Sequence, residues 1–218
     1  MLAGMSGCGE IKVVDMSREG EETAKDQSEE GETAEASDTE GAAVVPSTEI
    51  VERSDQEYEA ISNKLEAWWF KRNEEHQPSG CQEDFDISQY HAYYVNRDAE
   101  DMVIYLTFDC GYENGYTAEI LDTLKEQNVK AVFFVTQTYI RDNPELVIRM
   151  KEEGHLVGNH TITHPSLPSL SIEEQRQEIT GCAAYMKEAT GYEMDPYIRP
   201  PKGEYSERTL QLCEDLGY

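Results

Sequence analysis

The chain has 218 residues, of which 45 are acidic and 18 basic, giving a formal charge of −27. Such a charge would repel nucleic-acid phosphates and anionic membrane surfaces, which argues against both as direct binding partners. The length is enough to bury one sizeable hydrophobic core, and we expect one folded domain.

The negative charge is concentrated near the N-terminus, where residues 1–60 hold 17 acidic and 4 basic side chains. Residues 10–45 are mostly Glu, Asp, Ser, Thr, Gly and Ala, without an aromatic residue or a periodic apolar run. Such a segment cannot bury enough apolar surface to offset the entropy lost on ordering. We therefore predict that residues 9–57 form a disordered acidic linker.

A cysteine follows small residues at the very start of the chain, in Met5-Ser6-Gly7-Cys8. This resembles the end of a bacterial lipoprotein signal, in which the cysteine becomes the lipidated first residue of the mature protein. We expect residues 1–8 to be the remnant of such a signal, lipid on Cys8 to be the only membrane attachment, and the acidic segment to be a tether. The alternative is an ordinary cysteine before a disordered tail.

Residues 58–100 are predicted to form a helical or irregular extension. Ile61, Leu65, Trp68 and Trp69 recur at helical spacing, which favours a short helix that packs its tryptophans on the main domain. A sugar-stacking role for either tryptophan is the alternative.

From residue 101 onwards, apolar runs alternate with amphipathic segments. Four strands are predicted: Met102 to Phe108, one from Val129, one from His155, and Tyr197 to Arg199. Four helices are predicted: one from Thr117, one from Asn143 and Pro144 to a stop at Gly154, one from the capping box Ser171–Glu174 to Gly191, and one from Ser206 to Leu216. This alternation is typical of βαβ units, so we predict an α/β fold with a parallel sheet, either open or half of a barrel.

Polar side chains follow three of these strands. Asp109 follows the first strand, His160 and His164 the third, and Arg199 the fourth. Because the carboxyl ends of parallel strands meet at one edge of the sheet, we expect these groups to converge. Neutral imidazoles bind zinc and similar divalent metals, although two histidines four residues apart are alone weak evidence, and a buried histidine bonded to backbone is the alternative.

Three motifs in this order, TFDCG (107–111), HTITH (160–164) and RPPKG (199–203), resemble those of the NodB-type polysaccharide deacetylases. The resemblance covers residues 103–218. YENGYT (112–117) and WWFKRNEEHQPS (68–79) are similar to the branch that acts on muramic acid in spore peptidoglycan. The resemblance implies a partial (β/α) barrel of the polysaccharide deacetylase type and a peptidoglycan glycan strand as substrate.

The resemblance also implies residue roles. Asp109 would be the general base, His160 and His164 would bind a divalent metal, zinc being the expected one, and Arg199 would hold Asp109 ionised. Pro201, Gly203 and Tyr112 are expected to contact substrate or the oxyanion. A metal would make hydroxide available at neutral pH, consistent with these roles.

Two departures from the family pattern stand out. Cys110 occupies the place of the aspartate that is usually the third ligand, so it is either a thiolate ligand or a small buried residue. The later motifs, which supply the general acid, do not occur before Tyr218. We therefore expect the domain (101–218) to be incomplete at its C-terminus and this polypeptide alone to be inactive.

The favoured function is an extracytoplasmic hydrolase that removes N-acetyl groups from peptidoglycan amino sugars, N-acetylmuramic acid in particular. One alternative is a catalytically degenerate glycan-binding lipoprotein that keeps the groove. Another is an unrelated metal hydrolase on an α/β barrel that acts on an ester or phosphate.

Overall fold

The computed structural model of the protein describes residues 51–75, 77–81, 85–96 and 103–218. The helices are α1 (Asp55–Glu59), α2 (Thr117–Glu126), α3 (Gln137–Asp142), α4 (Pro144–Glu152), α5 (Ile172–Thr190) and α6 (Glu207–Asp215). The strands are β1 (Glu66–Ala67), β2 (Phe70–Lys71), β3 (Gly80–Cys81), β4 (Thr107–Cys110), β5 (Val132–Val135), β6 (Leu156–Asn159) and β7 (Glu204–Tyr205). Short 3₁₀ turns cover Ile87–Tyr90, Leu167–Ser169 and Pro201–Gly203.

The central sheet is parallel, in the order β4-β5-β6, and confirms the predicted α/β class. All four residues of β5 are buried, as expected for a strand covered on both faces. The predicted fourth strand is only one parallel bridge, between Asn159 and Ile198. The Asn159 amide donates to the Tyr197 carbonyl, and the Arg199 amide donates to the Asn159 carbonyl. Arg199 therefore still lies beside the end of β6.

Residue alternation divides the sheet into two faces. One face, which we call the helix face, carries Phe108, Phe133 and Val157 and packs with α2, α4 and α5 in the main core. The opposite face, which we call the site face, carries Thr107 and Asp109 of β4. The strand register places Phe134 of β5 and Gly158 of β6 beside them on this face.

Four predicted helices are confirmed as α2, α4, α5 and α6. The Ser171–Glu174 capping box closes the start of α5, and Gly191 (φ +81°) ends it in the left-handed region. Asn143 does stand at the N-cap of α4, but its side chain donates to the Tyr139 carbonyl and does not cap the helix. That arrangement arises because α3, which was not predicted, immediately precedes α4.

The first strand begins later than predicted. Met102 lies outside the described residues, and β4 runs from Thr107 to Cys110, so Asp109 is within the strand and not after it. Ile104, Tyr105 and Leu106 are exposed. Hydrogen bonding to β5 therefore sets the extent of this strand, and apolar character alone does not.

The predicted helix that buries Trp68 and Trp69 is wrong. Among the described residues of this region, α1 and the 3₁₀ turn Ile87–Tyr90 are helical. Trp68 and Trp69 instead lie between β1 and β2 and are 42% and 48% exposed. The cause is long-range pairing, because β1 forms an antiparallel pair with β7. Tyr58 is buried in a second apolar cluster, together with residues of α5 and α6, and Ile61 packs against it.

The chain is already attached to the domain at Val51, within the segment predicted to be linker. Its amide donates to the Asp215 carbonyl, and the Arg53 guanidinium pairs with the Asp215 carboxylate at 2.9 Å. The predicted lipidation site Cys8 and the signal remnant 1–8 lie outside the described residues, as does the linker before residue 51. No helix in the described part of the chain is long and apolar enough to cross a membrane.

Candidate active site

Strand β4 carries Asp109 and Cys110 on opposite faces. Asp109 lies on the site face with Thr107, whereas Cys110 packs in the main core. Burial raises the pKa of the Cys110 thiol to about 12, helped by the negative charges of Asp109 and Glu113. Of the two alternatives for Cys110, its position fits a small buried residue, because the thiolate is disfavoured and the side chain is turned away from Asp109.

Arg199 brings the first and third motifs together. Its Nη1 donates to Asp109 Oδ1 at 2.7 Å, and its Nη2 donates to Thr107 Oγ1 at 2.9 Å. Its guanidinium also lies over the Phe134 ring, with Cζ 4.4 Å from the centroid. Since the Asp109 side chain is 44% exposed, this ion pair contributes little to stability. Its consequence is a carboxylate fixed in one orientation.

A chain of hydrogen bonds shapes the loop that carries the two histidines. Buried Asn159 accepts from the Thr161 amide at 2.9 Å, and Thr161 Oγ1 accepts from the His164 amide at 3.1 Å. Thr161 (φ +71°) and His164 (φ +60°) are both in the left-handed region, which is uncommon for such residues. The tight turn places the rings of His160 and His164 with centroids 4.7 Å apart.

The backbone fixes the tautomer of His160. Its Nδ1 lies 2.8 Å from the Arg199 carbonyl, which can only accept, so Nδ1 carries the proton and the Nε2 lone pair is available. Burial is the main cause that lowers the pKa of this ring, against the opposing effects of the Arg199 carbonyl and of the Asp109 carboxylate. A neutral imidazole with its second nitrogen held by backbone is suited to metal ligation.

The two imidazoles fit a divalent cation as a pair of ligands. The residues that the structure describes contain no group of three or more His, Cys, Asp or Glu side chains able to hold a metal. Cys110 belongs to no such group among these residues and packs in the main core.

The third motif is supported by the extension. Pro201 is buried, and Lys202 and Gly203 both have positive φ. The Gly203 carbonyl accepts from the Trp68 amide at 2.8 Å, so the extension holds this turn through its backbone while its tryptophan rings stay exposed. Tyr112, in contrast, is 79% exposed on the loop after β4.

The structure thus brings Asp109, Arg199, His160 and His164 together and separates Cys110 from them. Sequence reasoning missed the parts played by Thr107 and Asn159. Thr107 could have been found from alternation, because it stands two residues before Asp109 and must share its face. Asn159 gave a weaker signal, as a polar residue at the end of a buried strand.

These features define a parallel α/β protein with a carboxylate, an arginine and two histidines at the carboxyl edge of its sheet. The family model for polysaccharide deacetylase matches residues 96–218, and the chain belongs to that family.

Relatives with names or structures agree with this assignment. The chain is 41% identical over 162 residues to peptidoglycan-N-acetylmuramic acid deacetylase PdaA of Bacillus subtilis, covering 73% of this chain and 61% of that protein. It is 45% identical over 161 residues to an uncharacterized 30.6 kDa protein of Geobacillus stearothermophilus, covering 73% and 60%. The structure of Bacillus subtilis PdaA, a family 4 carbohydrate esterase, superposes with a TM-score of 0.68 at 39% identity, covering 72% of this chain and 68% of that one. The chain thus spans about 60% of the length of these curated relatives.

Proposed function

We propose that the protein is a metal-dependent hydrolase that removes N-acetyl groups from amino sugars of peptidoglycan, with N-acetylmuramic acid as the target sugar. The observation that carries the proposal is the double use of Arg199. Its side chain holds Asp109 at 2.7 Å and its carbonyl holds His160 at 2.8 Å, so one residue aligns a carboxylate with an imidazole lone pair. The Bacillus subtilis relative, a peptidoglycan-N-acetylmuramic acid deacetylase by name, supports this choice of sugar.

His160 and His164 would hold the metal, and zinc suits two imidazole ligands. When bound, such a cation supplies Lewis acidity, which polarises an amide carbonyl and makes a water acidic enough to ionise near neutral pH. The proximity of their rings supports a shared ligand role, and the Nδ1 proton of His160 leaves its Nε2 for the cation.

Asp109 is assigned the role of general base. Its Oδ1 is engaged by Arg199, so we assign proton uptake to Oδ2. As the water oxygen bonds to the acetyl carbon, Asp109 takes one water proton. The carbon–nitrogen bond then breaks, the nitrogen receives the proton that Asp109 took, and the free amine and acetic acid, which ionises to acetate, are released. Pro201 and Gly203 are proposed to contact the sugar or the developing oxyanion, and Tyr112 to contact the sugar.

The direct test is acetate release from purified peptidoglycan by the full-length protein, before and after treatment with a chelator. We expect loss of activity on chelation and recovery with zinc. Asp109→Asn should lower kcat by about 10²- to 10⁴-fold and leave substrate binding nearly unchanged. Asp142→Asn is the matched control, because Asp142 also forms an exposed pair with an arginine, at 2.7 Å, outside the site. Activity that survives chelation, or an Asp109→Asn enzyme with normal kcat, contradicts the mechanism.

One observation favours a second function, a degenerate glycan-binding protein. The described residues contain no group of three or more His, Cys, Asp or Glu able to hold a metal, so the proposed ligands are the two histidines, with Cys110 in the core. Under this alternative, the protein would bind glycan strands in the presence of zinc and release no acetate. Equilibrium binding to the same peptidoglycan, measured beside acetate release, separates the two functions.

We propose an extracytoplasmic location, with attachment to the membrane through lipid on Cys8. A peptidoglycan substrate lies outside the membrane, which supports the location. Replacement of Cys8 by Ser should move the protein from the membrane fraction to the soluble fraction of cells. A Cys8→Ser protein that remains in the membrane fraction would exclude the anchor.

A further inference from the structure

The loop between β4 and α2, residues 111–116, exposes two large aromatic side chains beside the candidate site. Tyr112 and Tyr116 are 79% and 63% exposed. Tyr112 follows Asp109 by three residues, so their Cα atoms are at most about 11 Å apart. An exposed aromatic ring on a loop ordinarily moves with the loop, so the contacts that hold this loop determine how well the two rings are fixed.

Glu113 fastens the 111–116 loop to two helices. Its Oε1 accepts from the amides of Gly115 and Thr117, the second at 3.3 Å at the start of α2. Its Oε2 accepts from the Tyr139 hydroxyl of α3 at 2.9 Å. A hydrogen bond with the Thr117 side chain is the main cause that lowers the pKa of Glu113 to about 2, and the bonds from Tyr139 and from the two amides act in the same direction against burial. The carboxylate is therefore charged and bound on both oxygens.

The base of the loop is fixed as well. The Thr136 amide donates to the Cys110 carbonyl at 3.1 Å, and Thr136 Oγ1 donates to the Gly111 carbonyl at 3.4 Å. Gly115 turns the chain with φ +88°, a conformation that glycine adopts without strain. The backbone on both sides of Tyr112 is thus held, while its ring is left open to solvent.

We propose that Glu113 is a positioning residue that presets the 111–116 loop so that Tyr112 stacks on a sugar ring next to the acetylated one. The inference rests on the proposed function, which supplies the glycan. A pyranose offers an apolar C–H face bordered by hydroxyls, and tyrosine combines an apolar ring with a polar tip. A surface that is already ordered loses less entropy when it binds, so the fixed loop favours affinity.

The test separates substrate binding from chemistry and from metal binding. In the full-length protein, Glu113→Ala and Tyr112→Ala should each raise KM about three- to tenfold, with kcat and zinc affinity nearly unchanged. Tyr112→Phe keeps the ring and should restore the wild-type KM. Glu119→Gln, which removes a charge from the first turn of α2 outside this loop, is the matched control.

Hydrogen exchange gives a readout that does not depend on activity. Glu113→Ala should speed exchange at the amides of Gly115 and Thr117, whereas Tyr112→Ala should not. Since Tyr112 is exposed, its variant remains informative even if Glu113→Ala is poorly folded. An unchanged KM in Tyr112→Ala, or unchanged exchange at both amides in a folded Glu113→Ala protein, overturns the inference.

A wild-type protein that releases no acetate would refute the proposed function by itself. Direct binding of the same glycan then decides the loop inference. Binding that both alanine variants weaken about three- to tenfold supports it, and equal binding by wild type and variants overturns it.

Discussion

Two buried histidines stand at opposite ends of β6, His155 before the strand and His160 after it, and each is 3% exposed. His155 Nδ1 accepts from the Ala131 amide at 3.2 Å. His160 Nδ1 instead donates to the Arg199 carbonyl at 2.8 Å. Because an amide can only donate and a carbonyl can only accept, the two rings are opposite tautomers.

The tautomer decides what each ring can do. His160 presents the Nε2 lone pair, which can ligate a cation. His155 carries its proton on Nε2, an atom that is buried and has no hydrogen-bond partner among the described residues. Its ring lies nearly perpendicular to that of Phe133, with the two centroids 5.4 Å apart. Equal burial therefore accompanies two tautomers, and the backbone group opposite Nδ1 distinguishes the proposed metal ligand from a core residue.

The largest effect should come from removing the available lone pair. His160→Gln should lower zinc affinity by at least about 100-fold, because even the outer partners of ligands are worth 10- to 100-fold. His155→Asn keeps an acceptor for the Ala131 amide and should leave zinc affinity unchanged. Competition with a chromophoric chelator at pH 7.5 measures both. A folded His155→Asn protein that lost zinc as His160→Gln does would abolish the distinction.

A smaller effect is expected from replacing Gly158, a residue of β6, the strand that the two histidines flank. A Cβ there would be 2.8 Å from the Phe134 ring and from the Tyr197 carbonyl. The Phe134 ring lies under the Arg199 guanidinium, and the Tyr197 carbonyl accepts from the Asn159 amide at 2.7 Å. Both groups therefore help to hold the end of β6 that leads into His160.

Gly158→Ala should therefore lower the free energy of unfolding by about 1–3 kcal/mol, the usual range for overpacking. Gly111→Ala is the control, because a Cβ there meets nothing within 4 Å. Urea denaturation compares the two variants. If Gly158→Ala matched wild type in stability, the close packing of this strand would not be needed to hold the His160 end.

The parts of the molecule that the sequence predicts correctly depend on local patterns. β5 is a continuous apolar run, and α5 has its capping box and terminal glycine within the segment itself. The convergence of Asp109 with Arg199 was also predictable, since parallel strands bring their carboxyl ends to one edge.

Other parts depend on partners distant in sequence. The apolar spacing around Leu65 fits a helix, yet residues 66–67 pair with β7. The face taken by Cys110 depends on where β4 begins, which its pairing with β5 sets. The role of Glu113 needs Tyr139 of α3, a helix without a strong periodic signal.

The smallest expected effect is a pH dependence of stability carried by His155. Burial lowers the pKa of this ring below 6.5, and the positive charges of Lys130 and Arg149 act in the same direction against that of Glu153. The unfolded chain therefore binds more protons than the folded one below pH 6.5, so the free energy of unfolding should fall as the pH is lowered through this value. His155→Asn should remove part of that fall, whereas His160, whose pKa is lowered too, keeps its own contribution. Urea denaturation of metal-free protein at pH 7.5 and pH 5.5 measures the difference. An equal fall in wild type and His155→Asn would show that His155 does not contribute to the pH dependence of stability.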